Sequence, residues 1–321
     1  MKNFFQFIFS IILIAISLSS FAHAASTTGT TSYHRIISFG DSLSDMGTYA
    51  LAAGPLGGGK FTTNPGKIWL EVVADHLSLP IKSNRQEGFG LPTRFLGGFG
   101  YAQGGSQLIF DSKDENFTAR PVAAQIGYFL LQNGFFLPGD LVLIQGGAND
   151  IFAQMNALKS GTITPQEAIQ NMAQAADDFS VMIANVRNSG AQKLIVVNLP
   201  MIEQTPKVLS LDPAVQKIVA AMVATFNSTL ATKVIAMKVT LIDFYSFDKS
   251  FNLNYVELGF SDITHTACLS KGLPSGSSLF CSPKTLTEVG ADQKYKYADG
   301  VHPTTGYSKL VGDYIYARIL E

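Results

Sequence analysis

Hydrophobic positions along this chain follow two rhythms. Short apolar runs rich in β-branched residues recur at residues 35–39, 141–144, 193–199 and 240–244, the pattern of strands buried on both faces. Between them lie longer stretches with apolar residues three and four apart, as on a helix with one buried stripe. Residues 67–77 place Ile68, Val72, Val73 and Leu77 in this way, with Trp69 beside them. Thr164-Pro165-Gln166-Glu167 is a capping box with proline at the first helical position, and it opens a helix to about Asn188. Asp212-Pro213 opens another, with Val215, Ile218, Val219, Met222, Val223 and Phe226 on one face. Residues 304–320 close the chain as a helix whose stripe is Leu310, Val311, Tyr314 and Ile315. Strands alternating with helices predict an α/β fold, its central, mostly parallel sheet covered on both faces.

Three segments break the rhythm. Residues 88–105 are glycine-rich and read as a long loop ending in Gly104-Gly105-Ser106, where a backbone N–H can approach a ligand closely. Residues 54–61 nearly spell a phosphate-binding loop, but Phe61 stands where a hydroxyl residue would hold Mg²⁺. They read instead as a flexible surface loop. Residues 248–298 lose regular periodicity, as functional segments of compact domains often do.

At the N-terminus, Lys2, the apolar run 4–21 and Ala22-His23-Ala24 read as a signal peptide over residues 1–24. A spanning helix is the competing reading, and the small residues around Ala24 and Ala25 favour cleavage. Residues 25–321 are then expected to be one domain, secreted or periplasmic. A formal net charge of −1 at pH 7 leaves no basic stripe for nucleic acid or an anionic membrane, so neutral or zwitterionic partners are expected. The two cysteines, Cys268 and Cys281, read as a disulfide in an oxidising compartment. His265 alone nearby does not complete a metal-ligand set, and no metal or cofactor is expected.

Candidate chemistry begins at Phe39-Gly40-Asp41-Ser42-Leu43-Ser44-Asp45. A strand followed by glycine puts Ser42 on a strand-to-helix bend, with its N–H at the positive end of a helix. Alone, this is also a common capping turn. Asp299-Gly300-Val301-His302-Pro303 changes the weighting. One bent loop can present both side chains, with His302 Nδ1 on Asp299 and Nε2 facing Ser42, so Ser42, Asp299 and His302 supply nucleophile, orienting acid and base. Pro303 is expected to start the last helix. Oxyanion donors are expected from the Ser42 and Gly105 N–H groups and the Asn149 amide. Asn149 follows the 141–144 strand, where ligands bind beyond strand carboxyl ends. Asp45 and Asp150 read as supporting hydrogen-bond partners, and His34, His76 and His265 have no triad-like companions.

These blocks, with Gly104-Gly105 and Gly147-Ala148-Asn149-Asp150 between them in order, resemble the GDSL (SGNH) hydrolase family. Gly66-Lys67-Ile68-Trp69 and Phe226-Asn227 extend the resemblance, while Gly100 replaces an asparagine often seen before the glycine pair. It implies a three-layer α/β/α sandwich of flavodoxin-like type. It also carries the family's Ser, Gly, Asn and His to Ser42, Gly105, Asn149 and His302, with Asp299 as the acid. The chain is most similar to secreted bacterial lysophospholipases A and glycerophospholipid:cholesterol acyltransferases. That implies a serine ester hydrolase acting on lipid or lysophospholipid at a membrane or micelle surface, with acyl transfer to a lipid alcohol as a variant. The family also holds sugar-acetyl esterases; a carbohydrate acetyl-esterase or a catalytically silent surface-binding module is the alternative. Phe89, Phe95, Phe99, Phe110, Phe135 and Phe136 fall in or beside loops, where they either hold an acyl chain or belong to the core. The small, polar loop between Cys268 and Cys281 has two readings, a flexible lid with Lys271 offered to an activating protease or a surface excursion stapled for stability.

Overall fold

The four apolar runs form four parallel strands: β1 (Arg35–Phe39), β2 (Asp140–Gln145), β3 (Lys193–Val197) and β4 (Thr240–Ile242), in the order β1-β2-β3-β4. This computed structural model describes residues 33–113, 118–271 and 273–321, so the expected signal peptide lies outside the described residues. Alternate strand residues point to opposite faces. Ile37, Phe39, Val142, Ile144, Leu194 and Val196 belong to one core, while Ile36, Leu141, Leu143, Ile195, Val197 and Ile242 belong to the other. Both sets are fully buried, as the unbroken apolar runs require.

The helices that cover the sheet are α1 (Trp69–His76), α2 (Val122–Asn133), α3 (Ala148–Lys159), α4 (Pro165–Asn188), α5 (Pro213–Val234), α6 (Phe244–Asn254) and α7 (Thr305–Ile319). Side chains from α2 to α5 fill the first core, and those of α1, α6 and α7 fill the second. The three-layer α/β/α arrangement follows directly. Sequence signals set the helix starts: Thr164 and Glu167 form the capping box of α4, Asp212 caps α5, and Thr304, not Pro303, caps α7.

Three expectations are corrected. Residues 88–105 are not one long loop, because Arg85–Gly88 and Leu91–Phe95 pair as an antiparallel hairpin. Beyond them the chain crosses β1 as an isolated bridge at Gly100, a glycine-rich remnant of an edge strand. Residues 54–61 are not simply a flexible surface loop: Gly59 N–H donates to Leu279 O at 2.9 Å and Phe61 is buried. The region 248–298 is not wholly irregular: it takes in the second half of α6 and a short parallel pair, Asp262–Thr266 with Tyr295–Tyr297.

Candidate active site

The strand register delivers the site. Phe39 pairs with Ile144, Gln145 with Val197, and Val197 with Ile242, so the carboxyl ends of the strands finish together. Residues 40–45 leave β1 and residues 146–149 leave β2 at this one edge.

No helix begins at Ser42; residues 42–44 form a turn, and the next helical residues are Ala50–Ala53. Local bonds explain why. Asp41 Oδ1 accepts the Leu43 N–H at 3.0 Å, and Asp45 Oδ1 accepts those of Gly47 and Thr48 at 2.9 and 2.7 Å. Gln125 clamps the turn from α2: its Oε1 accepts the Gly40 N–H at 2.9 Å and its Nε2 donates to Gly40 O at 2.8 Å. Gln145 Nε2 donates to Asp41 Oδ2 at 2.9 Å. Neither glutamine stands in a recognisable motif; Gln125 is a polar residue inside an apolar run and Gln145 ends one, and that is the signal that could have found them.

From the far end of the chain, His302 Nε2 lies 2.9 Å from Ser42 Oγ, and its Nδ1 lies 2.7 Å from Asp299 Oδ2. The loop closes on itself, with the Ala298 N–H donating to His302 O at 2.7 Å. Asp299 is buried and well supplied with donors: Ser278 N–H at 2.6 Å, Val301 N–H at 2.9 Å and His302 N–H at 2.8 Å. Burial alone would raise its carboxyl. The charge and hydrogen bond of His302, with the Val301 and Ser278 N–H groups, outweigh burial and hold it well below the carboxylate range. Phe61 packs on the imidazole, ring centroids 4.9 Å apart. An alcohol with an imidazole acceptor, itself oriented by a buried carboxylate, is the arrangement of an activated nucleophile.

Ser42, Gly105 and Asn149 line one cavity of about 370 Å³. Gly105 sits at φ 86°, a conformation glycine adopts without strain. The Gly104 N–H is taken by Asp45 Oδ2 at 2.8 Å, whereas the Gly105 N–H has no acceptor among the described residues. Asn149 Nδ2 donates to Ser106 O at 2.9 Å, which fixes the amide and leaves its second hydrogen for a ligand. Asp45 and Asp150 support the loops, Asp150 accepting the Leu108 N–H at 3.1 Å. Burial pushes Asp45 up to about 6 and Asp150 up to about 7.

The cavity wall is not built from the loop phenylalanines. Of the six weighed for an acyl chain, none lines it. Phe95, Phe110 and Phe135 are exposed (64, 69 and 59 %), Phe136 is buried against Phe39 and Phe129, Phe99 lies under Arg35, and Phe89 packs on Tyr49 and Phe280. The wall is built instead from Phe61, Trp69, Phe152, Phe244 and Val311. Lys207, Lys296 and Asp248, which also line it, carried no sequence signal.

Cys268 and Cys281 are disulfide-bonded. The loop they close is not a uniformly flexible lid. Leu273, Ser278, Leu279 and Phe280 are buried, while Lys271 is exposed. Its Ser278 N–H is the one on Asp299, and the Cys268 N–H donates to Ala298 O at 3.0 Å. The other described histidines do not line the cavity; His76 and His265, read as lacking triad-like companions, each pair with a carboxylate, Asp313 and Asp262. Among the described residues no helix is long and apolar enough to cross a membrane, and no group of His, Cys, Asp and Glu could hold a metal ion.

A parallel α/β sheet that presents a Ser–His–Asp chain at its carboxyl edge has the geometry of an activated serine. The family model for GDSL-like lipase/acylhydrolase matches residues 36–315, and the chain belongs to that family. It is 29% identical over 199 residues to a phosphatidylcholine-sterol acyltransferase of Aeromonas hydrophila, covering 59% of this chain and 50% of the relative. It is 25% identical over 214 residues to Lipase 1 of Photorhabdus luminescens, covering 65% of this chain and 27% of that one. The chain thus matches half or less of the length of these curated relatives. Similar solved structures include an aryl esterase of M. smegmatis (TM-score 0.44, 17% identity, 89% of this chain and 98% of that chain). Phospholipase A1 from Streptomyces albidoflavus NA297 gives a TM-score of 0.46 at 12% identity, with the same coverage of 89% and 98%.

Proposed function

We propose that the protein hydrolyses acyl esters of lysophospholipids or phospholipids through an acyl-Ser42 intermediate. The observation that carries the reading is the unbroken chain Asp299–His302–Ser42 opening onto a cavity with a largely apolar wall. In the first half-reaction Ser42 Oγ attacks the ester carbonyl carbon while His302 Nε2 takes the hydroxyl proton. Asp299 stays ionised and holds the imidazolium. The N–H groups of Ser42 and Gly105 and the Asn149 amide receive the developing oxyanion. Collapse expels the alcohol, which takes its proton from His302. Water, activated by the same imidazole, then releases the fatty acid and restores Ser42.

A lipid alcohol in place of that water gives acyl transfer, and the acyltransferase and lipase among the relatives support lipid substrates. The disulfide and the Ala22-His23-Ala24 sequence support an exported protein, secreted or periplasmic. The test is a substrate panel of a lysophospholipid, a diacyl phospholipid and an acetylated sugar, run on wild type and Ser42→Ala. Turnover is expected on the lipid esters, with a loss of order 10⁴-fold or more in Ser42→Ala. Preference for the acetylated sugar would overturn the lipid assignment, and no ester turnover would point to a silent binding module.

A further inference from the structure

Two ammonium groups line the cavity, and they differ in what neutralises them. Lys296 is buried, and its Nζ reaches Asp248 Oδ1 at 2.5 Å and Asn252 Oδ1 at 2.8 Å. That charge is satisfied internally. Lys207 is exposed, and among the described residues no carboxylate or other acceptor bonds its Nζ. Its Nζ lies 4.2 Å from the centroid of the Phe152 ring, close enough for a cation–π contact that steadies an ammonium without neutralising it.

Placement gives this free charge its meaning. Phe152 follows Asn149 by three positions on α3, so the two share a helix face. The Lys207 N–H donates to Gly300 O at 2.9 Å, tying its backbone to the loop that carries Asp299 and His302. Asp299 is near, but its oxygens are committed to His302 and three backbone N–H groups. Among the described residues that line the cavity, Lys207 is therefore the ammonium with no carboxylate bonded to it, available to an anionic ligand. In a glycerophospholipid the phosphate is joined to the same glycerol as the acyl ester, a few bonds from the scissile carbonyl.

Building on the proposed lipid-ester reading, we infer that Lys207 recognises the phosphate of the substrate and selects phosphate-bearing acyl esters over phosphate-free ones. The test compares 1-palmitoyl lysophosphatidylcholine with 1-palmitoylglycerol in the same mixed micelles. Lys207→Met keeps a stem over Phe152 and removes the charge. The ratio of kcat/KM on the first substrate to that on the second is expected to fall about tenfold to a hundredfold, mainly through KM, as for a lost charged hydrogen bond. Lys207→Arg should recover part of it. An unchanged ratio, with both substrates equally impaired, would make Lys207 a prop for the Gly300 loop and overturn the inference.

A second arm does not depend on turnover. Binding of sn-glycerol 3-phosphate to Ser42→Ala protein, read by calorimetry, should weaken at least tenfold when Lys207→Met is added. Equal binding by both proteins, or by neither, also overturns the inference. Lys207-dependent binding in a protein that cleaves neither ester would leave the anion site standing and refute the lipid-hydrolase reading instead.

Discussion

At the scale of single residues, hydrogen-bond ownership decides roles. Gly104 and Gly105 are adjacent and chemically identical, yet Asp45 has already taken the Gly104 N–H, leaving that of Gly105 for a ligand. A Cβ on Gly104 would meet Phe61 at 2.2 Å, so alanine there tests packing rather than oxyanion binding. Asn149 offers the cleaner probe. Asn149→Ala is expected to lower kcat by about 10² to 10³ with a smaller effect on KM, as for loss of one oxyanion donor; unchanged turnover would leave Asn149 a turn residue. Asp150 makes a different prediction. Its burial raises the carboxyl from the ordinary 3.8 to about 7, so folding favours the protonated form. That contribution is fully present below about pH 4 and is lost as pH rises towards 7, at up to about 1.4 kcal/mol per pH unit. The urea midpoint should therefore fall across that window, and less steeply in Asp150→Asn, which keeps an acceptor for Leu108. Identical slopes would contradict the assignment. Asp45 shifts in the same direction, whereas Asp299, held low, acts below the window. Ser42, Asp299, His302, Gly105 and Asn149 stood out in sequence because the chemistry needs those residue types and the family's blocks set their order, and the fold brings them together. The cavity wall was not: Phe61 and Phe152 look like Phe95 and Phe110 in sequence, and only the three-dimensional path separates them.

At the scale of elements, periodic segments and cap residues read well. α4 and α5 start where their capping residues placed them, because those signals are local. The segment after Ser42 read poorly, since Asp41 and Asp45 spend their carboxylates on nearby N–H groups and divert the chain from a helix. The Cys268–Cys281 loop also read poorly. Its small polar residues suggest mobility, but Leu279 and Phe280 anchor its second half in a buried cluster, and its Ser278 N–H holds Asp299. Loss of the cross-link should therefore act twice. Replacing both cysteines by alanine is expected to cost roughly 3 kcal/mol in denaturant unfolding and to lower kcat where the protein remains folded, through a looser Asp299. Full activity in a destabilised but folded variant would show that the loop is a staple and no more.

At the scale of the molecule, the register of four parallel strands brings residues 42 and 149 to one edge, and the loop after Tyr295–Tyr297, outside that sheet, carries His302 to the same place. The alternation of strands and helices was enough to read this architecture; the edge bridge at Gly100 and the Arg85–Phe95 hairpin were not, because glycine masks strand character. The central claim is that Ser42 is a nucleophile activated by His302 and Asp299. Its most direct test is the rate and site of labelling by a fluorophosphonate, mapped by peptide mass spectrometry. The expected result is one adduct, on Ser42, absent in Ser42→Ala and formed far more slowly in His302→Ala. Labelling that persists in Ser42→Ala, or that proceeds at an undiminished rate in His302→Ala, would contradict it.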